Sequence, residues 1–146
     1  MAVTPFIPLR VTRRFAAPAA RVFDAWLYAD GARQWLFATP TGEMVQAEID
    51  PRVGGKWRFV DRRPEGDAVH RGTYLTIDRP RRLAFTWAVG ARSPDDTRVI
   101  IELAPLGAGC ELTLRHERVW ADYETRTAQG WTSMLEAVAR LLAARG

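Results

Sequence analysis

The sequence predicts an α+β fold, in which a curved antiparallel sheet of six to seven strands wraps around a long C-terminal helix, with two short helices after the first strand. From residue 44 to 117, stretches of alternating apolar and polar residues are separated by glycines and prolines. No helical pattern in this region is long enough for a parallel crossover, which favours an antiparallel meander. A helical repeat of apolar residues follows, from about residue 123 to 144.

The first strand is predicted at residues 7–15. Alternation places these apolar side chains on one side of it: Ile7, Leu9, Val11 and Phe15. Pro18 is expected at the first helical position, where the amide proton that proline lacks has no helical partner. The apolar stripe of this helix consists of Val22, Phe23, Trp26 and Leu27. Gly31 is expected to stop or break it, and a second short helix to carry Trp35 and Leu36.

The meander is predicted to contain strands at 44–50, 55–61, 69–78, 82–89, 97–104 and 109–117. Alternation turns these residues inward: Trp57, Phe59, Leu83, Phe85, Trp87, Val99, Ile101, Leu103, Cys110, Leu112, Leu114 and His116. The outer side carries Lys56, Arg58, Arg98, Glu102, Glu111, Thr113 and Arg115. Tyr74 and Ile77 differ in parity, so a β-bulge is predicted between them.

The final helix is expected to run from about Tyr123 to Ala144. Its apolar face consists of Trp131, Met134, Leu135, Val138, Leu141 and Leu142. At 1.5 Å per residue, such a helix is about 33 Å long. It is therefore long enough to lie across the whole concave face of a twisted sheet.

Length and composition agree with one folded domain over residues 1–146, because 47% hydrophobic and 26% charged residues are near the averages for globular proteins. Cys110 is the only cysteine, which excludes an internal disulfide. With two histidines beside it, the chain cannot form a Cys/His zinc cage. We expect neither a metal nor a cofactor.

The net charge of +4 comes from 21 basic and 17 acidic residues, and the arginines are scattered over strand ends and turns. This distribution predicts a solvated rim and no nucleic-acid binding, with a phosphate-binding track as the alternative. The N-terminus does not resemble a secretory signal, and no segment approaches the roughly 20 apolar residues of a membrane span. We expect a cytoplasmic protein without membrane insertion.

Five segments carry a resemblance to a known family: RRFAAPAARVFDAW, VGGKWRF, HRGTYLTIDRPRRLAFTW, ELTLRHE and GWTSMLEAV. They resemble the strand-to-helix opening, the central strands and the closing helix of proteins similar to the activator of heat-shock-protein-90 ATPase, within the START-like (SRPBCC) superfamily. The resemblance covers about residues 7–144. It implies the helix-grip fold, and it implies a chaperone partner as an alternative function.

The aromatic residues of the concave face predict a ligand-binding cavity, because a straight helix cannot fill a strongly curved sheet. The predicted ligand-binding residues are Trp35, Phe37, Trp57, Phe59, Tyr74, Phe85, Trp87, Leu114, His116, Trp131, Met134 and Val138. Trp35 and Phe37 would form a lid. The alternative is an ordinary solid core, without a pocket larger than roughly 300 Å³ between sheet and helix.

His116 is the sharpest single candidate, since alternation turns its imidazole inward near a strand end. It would orient a polar group of the ligand or act as an acid or base. The alternative is a histidine bonded to a neighbouring backbone or hydroxyl group. Nothing nearby in sequence completes a catalytic triad, and no carboxylate pair has the spacing of a metal site, so no catalytic or metal-binding residue is assigned.

The leading hypothesis is a non-catalytic domain that binds a small apolar or amphipathic molecule between the sheet and the C-terminal helix. A protein-interaction module similar to a co-chaperone is the second hypothesis. The third is an enzyme of cyclase, aromatase or hydrolase type with His116 and Tyr74 as acid and base. The alanine-rich outer side of the last helix would permit a homodimer.

Overall fold

The computed structural model describes residues 6–36, 42–89, 97–120 and 124–144. Its elements, in chain order, are β1 (Phe6–Phe15), α1 (Ala19–Asp24), α2 (Ala29–Ala32), β2 (Glu43–Ile49), β3 (Lys56–Arg63), β4 (Gly66–Asp78), β5 (Arg82–Val89), β6 (Thr97–Leu106), β7 (Gly109–Trp120) and α3 (Glu124–Ala144). The strands form one seven-stranded antiparallel sheet in the order β1-β7-β6-β5-β4-β3-β2. The predicted fold class is confirmed.

The helices that follow β1 are shorter than expected. Pro18 is the N-cap of α1 rather than its first residue: its backbone is extended (ψ 155°), and its carbonyl accepts hydrogen bonds from the amides of Arg21 and Val22. Gly31 lies inside α2 instead of ending a helix, and Trp35 and Leu36 lie in the turn after α2. The apolar stripe of this region, from Val22 to Leu27, is buried as predicted.

The β3–β4 hairpin is longer than predicted, because both strands continue through residues 62–68 to a two-residue turn at Pro64 and Glu65. Gly66 follows this turn with φ +129°, a conformation that side chains rarely adopt. Further along β4, the pairing with β5 shifts between Tyr74 and Thr76, so the predicted bulge is confirmed. Tyr74 is buried and Ile77 packs against the same core, as the bulge requires.

The two faces of the sheet differ as alternation predicts. Residues assigned to the inner face form one hydrophobic core, in which Phe59, Val99, Leu112 and Leu114 are fully buried. The outer face carries exposed cations such as Arg58, and several of its charges pair across strands. For example, Nη2 of Arg115 donates to Oε1 of Glu102 at 2.7 Å.

The long helix α3 closes the concave side. Its buried residues Trp131, Leu135, Val138 and Leu142 face the sheet. The helix comes closest to the backbone of β1 and β7, so it rests on one side of the concave face rather than on all of it. Within the described ranges, no helix is long and apolar enough to cross a membrane.

Candidate functional site

A cavity of about 640 Å³ lies between the sheet and α3. Its floor consists of inward side chains from four strands: Arg63 of β3, His70 of β4, Trp87 of β5 and His116 of β7. These residues are far apart in sequence. The antiparallel sheet brings them to one cavity, each offset by a few residues along its strand from the next.

The opposite wall is one face of α3, with Trp131 and Met134 as its large side chains. Beside them the helix presents small residues, namely Gly130, Ser133 and Ala137. A Cβ atom added at Gly130 would meet nothing within 4 Å. The small residues leave the space that larger side chains would fill. Thr127, one turn before them, and Arg140, one turn after them, border the same space.

The turn after α2 covers the cavity with Gln34 and Trp35. The Trp35 indole is 2% exposed, and its Nε1 donates a hydrogen bond to the carbonyl of Ala25 at 3.3 Å. Its ring also makes an edge contact with Trp26, at 4.7 Å between centroids. These contacts fix one orientation of the Trp35 ring above the cavity.

His116 has both ring nitrogens in hydrogen bonds. The indole Nε1 of Trp131 donates to Nδ1 at 3.1 Å, and Nε2 lies 2.8 Å from the hydroxyl of Thr97. Because an indole N–H can only donate, Nδ1 is unprotonated and the neutral ring carries its proton on Nε2. The Thr97 hydroxyl therefore accepts from His116 and donates to the carbonyl of Trp87 at 3.1 Å. His116 thus makes the bond to a neighbouring hydroxyl group that the alternative interpretation predicts, and it also lines the cavity.

Burial lowers the pKa of His116 to about 4, since desolvation penalises the charged ring. Protonation at Nδ1 would also displace the Trp131 donor. The ring is therefore neutral at ordinary pH, and its polar atoms are committed to the protein. This geometry suits a fixed wall better than a general acid or base.

His70 is the second buried imidazole of the floor. Burial, and next the charge of Arg63, lower its pKa to about 4, while the charge of Asp61 acts in the opposite direction. Asp61 is only 1% exposed and accepts a hydrogen bond from Nε of Arg63 at 2.8 Å. The Trp87 ring lies between the two imidazoles, with centroids 6.1 Å from His70 and 5.1 Å from His116.

Of the predicted ligand-binding residues, the structure brings five to the cavity: Trp35, Trp87, His116, Trp131 and Met134. Four others lie in a separate packed cluster, namely Trp57, Phe59, Tyr74 and Phe85. They pack there with Trp26, Leu36 and Leu83, and the free volume between them is only about 10 Å³. Placing these four at the same void as the first five was therefore wrong. Leu114 and Val138 are fully buried core residues that do not line it. Phe37 lies outside the described residues.

Tyr74 and His116 do not meet in one site, because only His116 lines the large cavity. Burial, and next the charge of Asp50, raise the pKa of the Tyr74 phenol above its usual value. The phenol is therefore protonated at neutral pH. The arrangement does not bring together the acid and base that the enzyme hypothesis requires.

Sequence reasoning missed the polar side of the cavity. Its additional lining residues are Gln34, Arg63, His70, Thr127, Gly130, Ser133, Ala137 and Arg140. A signal existed for the strand residues: His70 shares the parity of Tyr74, and Asp61 and Arg63 share that of Trp57 and Phe59. Across the described part of the chain, no group of three or more His, Cys, Asp or Glu residues could hold a metal ion.

The fold occurs in solved structures of bacterial proteins. One from Chromobacterium violaceum is 26% identical, with a TM-score of 0.84 over 92% of this chain and 95% of its own. One from Silicibacter pomeroyi is 27% identical, with a TM-score of 0.81 over 96% of this chain and 100% of its own. A third, from Rhodobacter sphaeroides, is 23% identical with a TM-score of 0.81, covers 99% of this chain and 96% of its own, and supports the fold alone.

No curated protein matches the chain. A family model does match it, over residues 16–143, and carries the description "Activator of Hsp90 ATPase homolog 1-like protein". These residues include α1, α2, the strands from β2 to β7 and nearly all of α3. The resemblance in the sequence is confirmed, and the chain belongs to the activator of Hsp90 ATPase homolog 1-like family, with a helix-grip fold.

Proposed function

We propose that this protein binds a small apolar or amphipathic molecule between its sheet and α3. The observation that carries the proposal is the cavity of about 640 Å³. Pockets for small ligands have volumes of roughly 300 to 1,000 Å³ and are mostly apolar with a few polar groups. The cavity agrees with that description in both size and lining.

The tryptophans of the cavity support binding because each is held in place before a ligand arrives. Trp131 is bonded to His116, Trp35 to the carbonyl of Ala25, and Trp87 packs against two imidazoles. Rigid aromatic walls lose little side-chain entropy on binding. We propose that these three rings and Met134 contact the ligand, and that Leu114 and Val138 support the cavity from the core.

The test is a binding screen with native mass spectrometry and thermal shift, using fatty acids, sterols and aromatic polyketides. A ligand that binds only the folded state, at a hundred times its Kd, stabilises that state by about 2.7 kcal/mol. A stoichiometric complex with a raised Tm is the expected result. Failure across a broad library would contradict the proposal.

Two variants of α3 locate the site. Ala137→Trp places a large side chain in the cavity, whereas Ala143→Trp places the same side chain at an exposed position of the same helix. Ligand affinity should fall at least tenfold in the first variant and stay unchanged in the second. Equal losses in both variants would show that binding occurs elsewhere.

A chaperone partner is the second candidate, and the family description is the observation that favours it. Its test is the ATPase rate of a bacterial Hsp90 homologue with and without the protein. A rate increase that survives in Ala137→Trp would assign the interaction to a surface outside the cavity. An unchanged ATPase rate would leave ligand binding as the single proposal.

A further inference from the structure

We infer that the ligand of the cavity carries an anionic group, and that Arg63 binds this group at the cavity floor. The inference rests on the proposed ligand-binding function and adds the chemical class of the ligand. An amphipathic anion, with an apolar body and a carboxylate, sulfonate or phosphate head, is the molecule that matches the observed lining.

The charges around the cavity are unbalanced. Among the described residues that line it, Arg63 and Arg140 are cationic and none is an aspartate or glutamate. Asp61 neutralises part of the Arg63 charge, but Asp61 is buried and does not line the cavity. A ligand would therefore meet cationic groups and neutral ones, and an anion is the complementary charge.

Arg63 is placed for this role by Asp61. The carboxylate of Asp61 accepts from Nε at 2.8 Å, which fixes the plane of the guanidinium. Within the described chain, neither Nη atom of Arg63 is used in a hydrogen bond, and the side chain is 27% exposed. A carboxylate or a sulfonate can accept two hydrogen bonds from a guanidinium group, one at each of two oxygens.

Trp87, which also lines the floor, carries an indole donor. The indole Nε1 of Trp87 is buried and makes no hydrogen bond in the part of the protein that the structure describes. His116 cannot add an acceptor or a donor, because both its nitrogens are engaged. Aromatic walls can also attract a cation, but a cationic ligand would meet two guanidinium groups and, among the described lining residues, no carboxylate.

The test uses two fluorescent probes with the same ring system. 1-Anilinonaphthalene-8-sulfonate is an aromatic anion, and N-phenyl-1-naphthylamine lacks its sulfonate and is neutral. Both gain fluorescence when they enter an apolar site. The wild-type protein should bind the sulfonate about tenfold more tightly than the neutral probe, since a charge-assisted hydrogen bond to a partly buried guanidinium adds to ring burial.

The variant Arg63→Gln should remove this preference and leave the affinity for the neutral probe within twofold. Because Arg63→Gln removes the hydrogen bond that the buried Asp61 accepts from Nε, the double variant Asp61→Asn/Arg63→Gln is the second test and should give the same result. Arg58→Gln, on the outer face, is the matched control and should keep the tenfold preference. Far-UV circular dichroism checks that each variant is folded.

The outcomes separate this inference from the function on which it rests. Binding of neither probe by the folded wild type would overturn both. Equal affinity for the two probes would overturn the anionic class and leave apolar ligand binding intact. A preference that persists in the folded double variant would overturn the assignment of the anion to Arg63. Loss of the preference in both Arg63 variants but not in Arg58→Gln would establish it.

Discussion

The concave face of this protein has a packed end and a hollow end, built from the same kinds of residue. At the packed end, Trp57 and Phe85 meet edge to face at 5.5 Å, and the remaining void is about 10 Å³. At the hollow end, Trp87 and Trp131 border a cavity of about 640 Å³. Trp26 lies between the two ends, 6.4 Å from Phe85 and 6.1 Å from Trp131.

The difference shows that aromatic residues do not by themselves create a pocket. At the packed end, side chains from the region after α1 and α2, such as Trp26 and Leu36, reach the sheet and fill the space. At the hollow end, α3 presents Gly130, Ser133 and Ala137, which are too small to reach it. The size of the side chains on the covering helix decides which end stays open.

The largest expected effect comes from replacing one tryptophan by alanine at the packed end and one at the hollow end. Trp26→Ala should destabilise the protein by about 4 kcal/mol, since the fully packed ring leaves a void. Trp87→Ala should cost about half as much, because this half-buried ring already borders open space. Urea unfolding measures both values. Equal losses would contradict the contrast between the packed and the hollow end.

Acid should weaken the hollow end, where both histidines lie. Below pH 6.5 both histidines of the unfolded chain take up protons. In the folded protein His70 and His116 are buried, each with a pKa of about 4, and stay neutral. Their contribution to the free energy of unfolding is fully present above pH 6.5 and is lost as the pH falls towards 4. From pH 6.5 to 5 the free energy of unfolding should fall by roughly 3 kcal/mol.

The control for the acid effect is His70→Gln, which removes one of the two titrating groups. The loss of unfolding free energy between pH 6.5 and 5 should drop to about half of the wild-type loss. An unchanged pH dependence in this variant would exclude His70 as a source. Urea unfolding at several pH values provides the measurement.

Replacing an alanine by leucine in the core and at the cavity tests whether the hollow end is open. Ala32 is fully buried in the core, so Ala32→Leu should cost about 2 kcal/mol through overpacking. Ala137 borders the cavity, so Ala137→Leu should change the free energy of unfolding by less than about 1 kcal/mol, because open space can accept the larger side chain. A large destabilisation by Ala137→Leu would indicate that the hollow end is filled in solution.

The smallest expected effect concerns the bond between Trp131 and His116. Trp131→Phe keeps a ring but removes the donor to Nδ1, which should cost about 1 kcal/mol. The pKa of His116 should rise towards its usual value, as NMR titration of the imidazole would measure, because Nδ1 becomes available to a proton. Trp35→Phe, whose indole bonds to a backbone carbonyl, should leave the His116 pKa unchanged.

Much of the fold could be predicted because its signals are local. The parity change at Tyr74 located the bulge in β4, and the alternation in β7 turned His116 inward. Assigning Trp57 and Phe85 to the same void as Trp87 failed because parity specifies a face of the sheet but not the position along it that a helix covers. The inward direction of His70 followed from the same parity and could have been found.

The sequence by itself determined the order of the elements, the face to which each strand residue points and the length of α3, because each of these depends on neighbours along the chain. The tertiary structure decided which aromatic residues border open space and which polar groups meet there. Arg63 and Arg140 come from β3 and α3. That both border one cavity depends on how far the helix lies from the sheet, and that distance is set by packing among side chains remote in sequence.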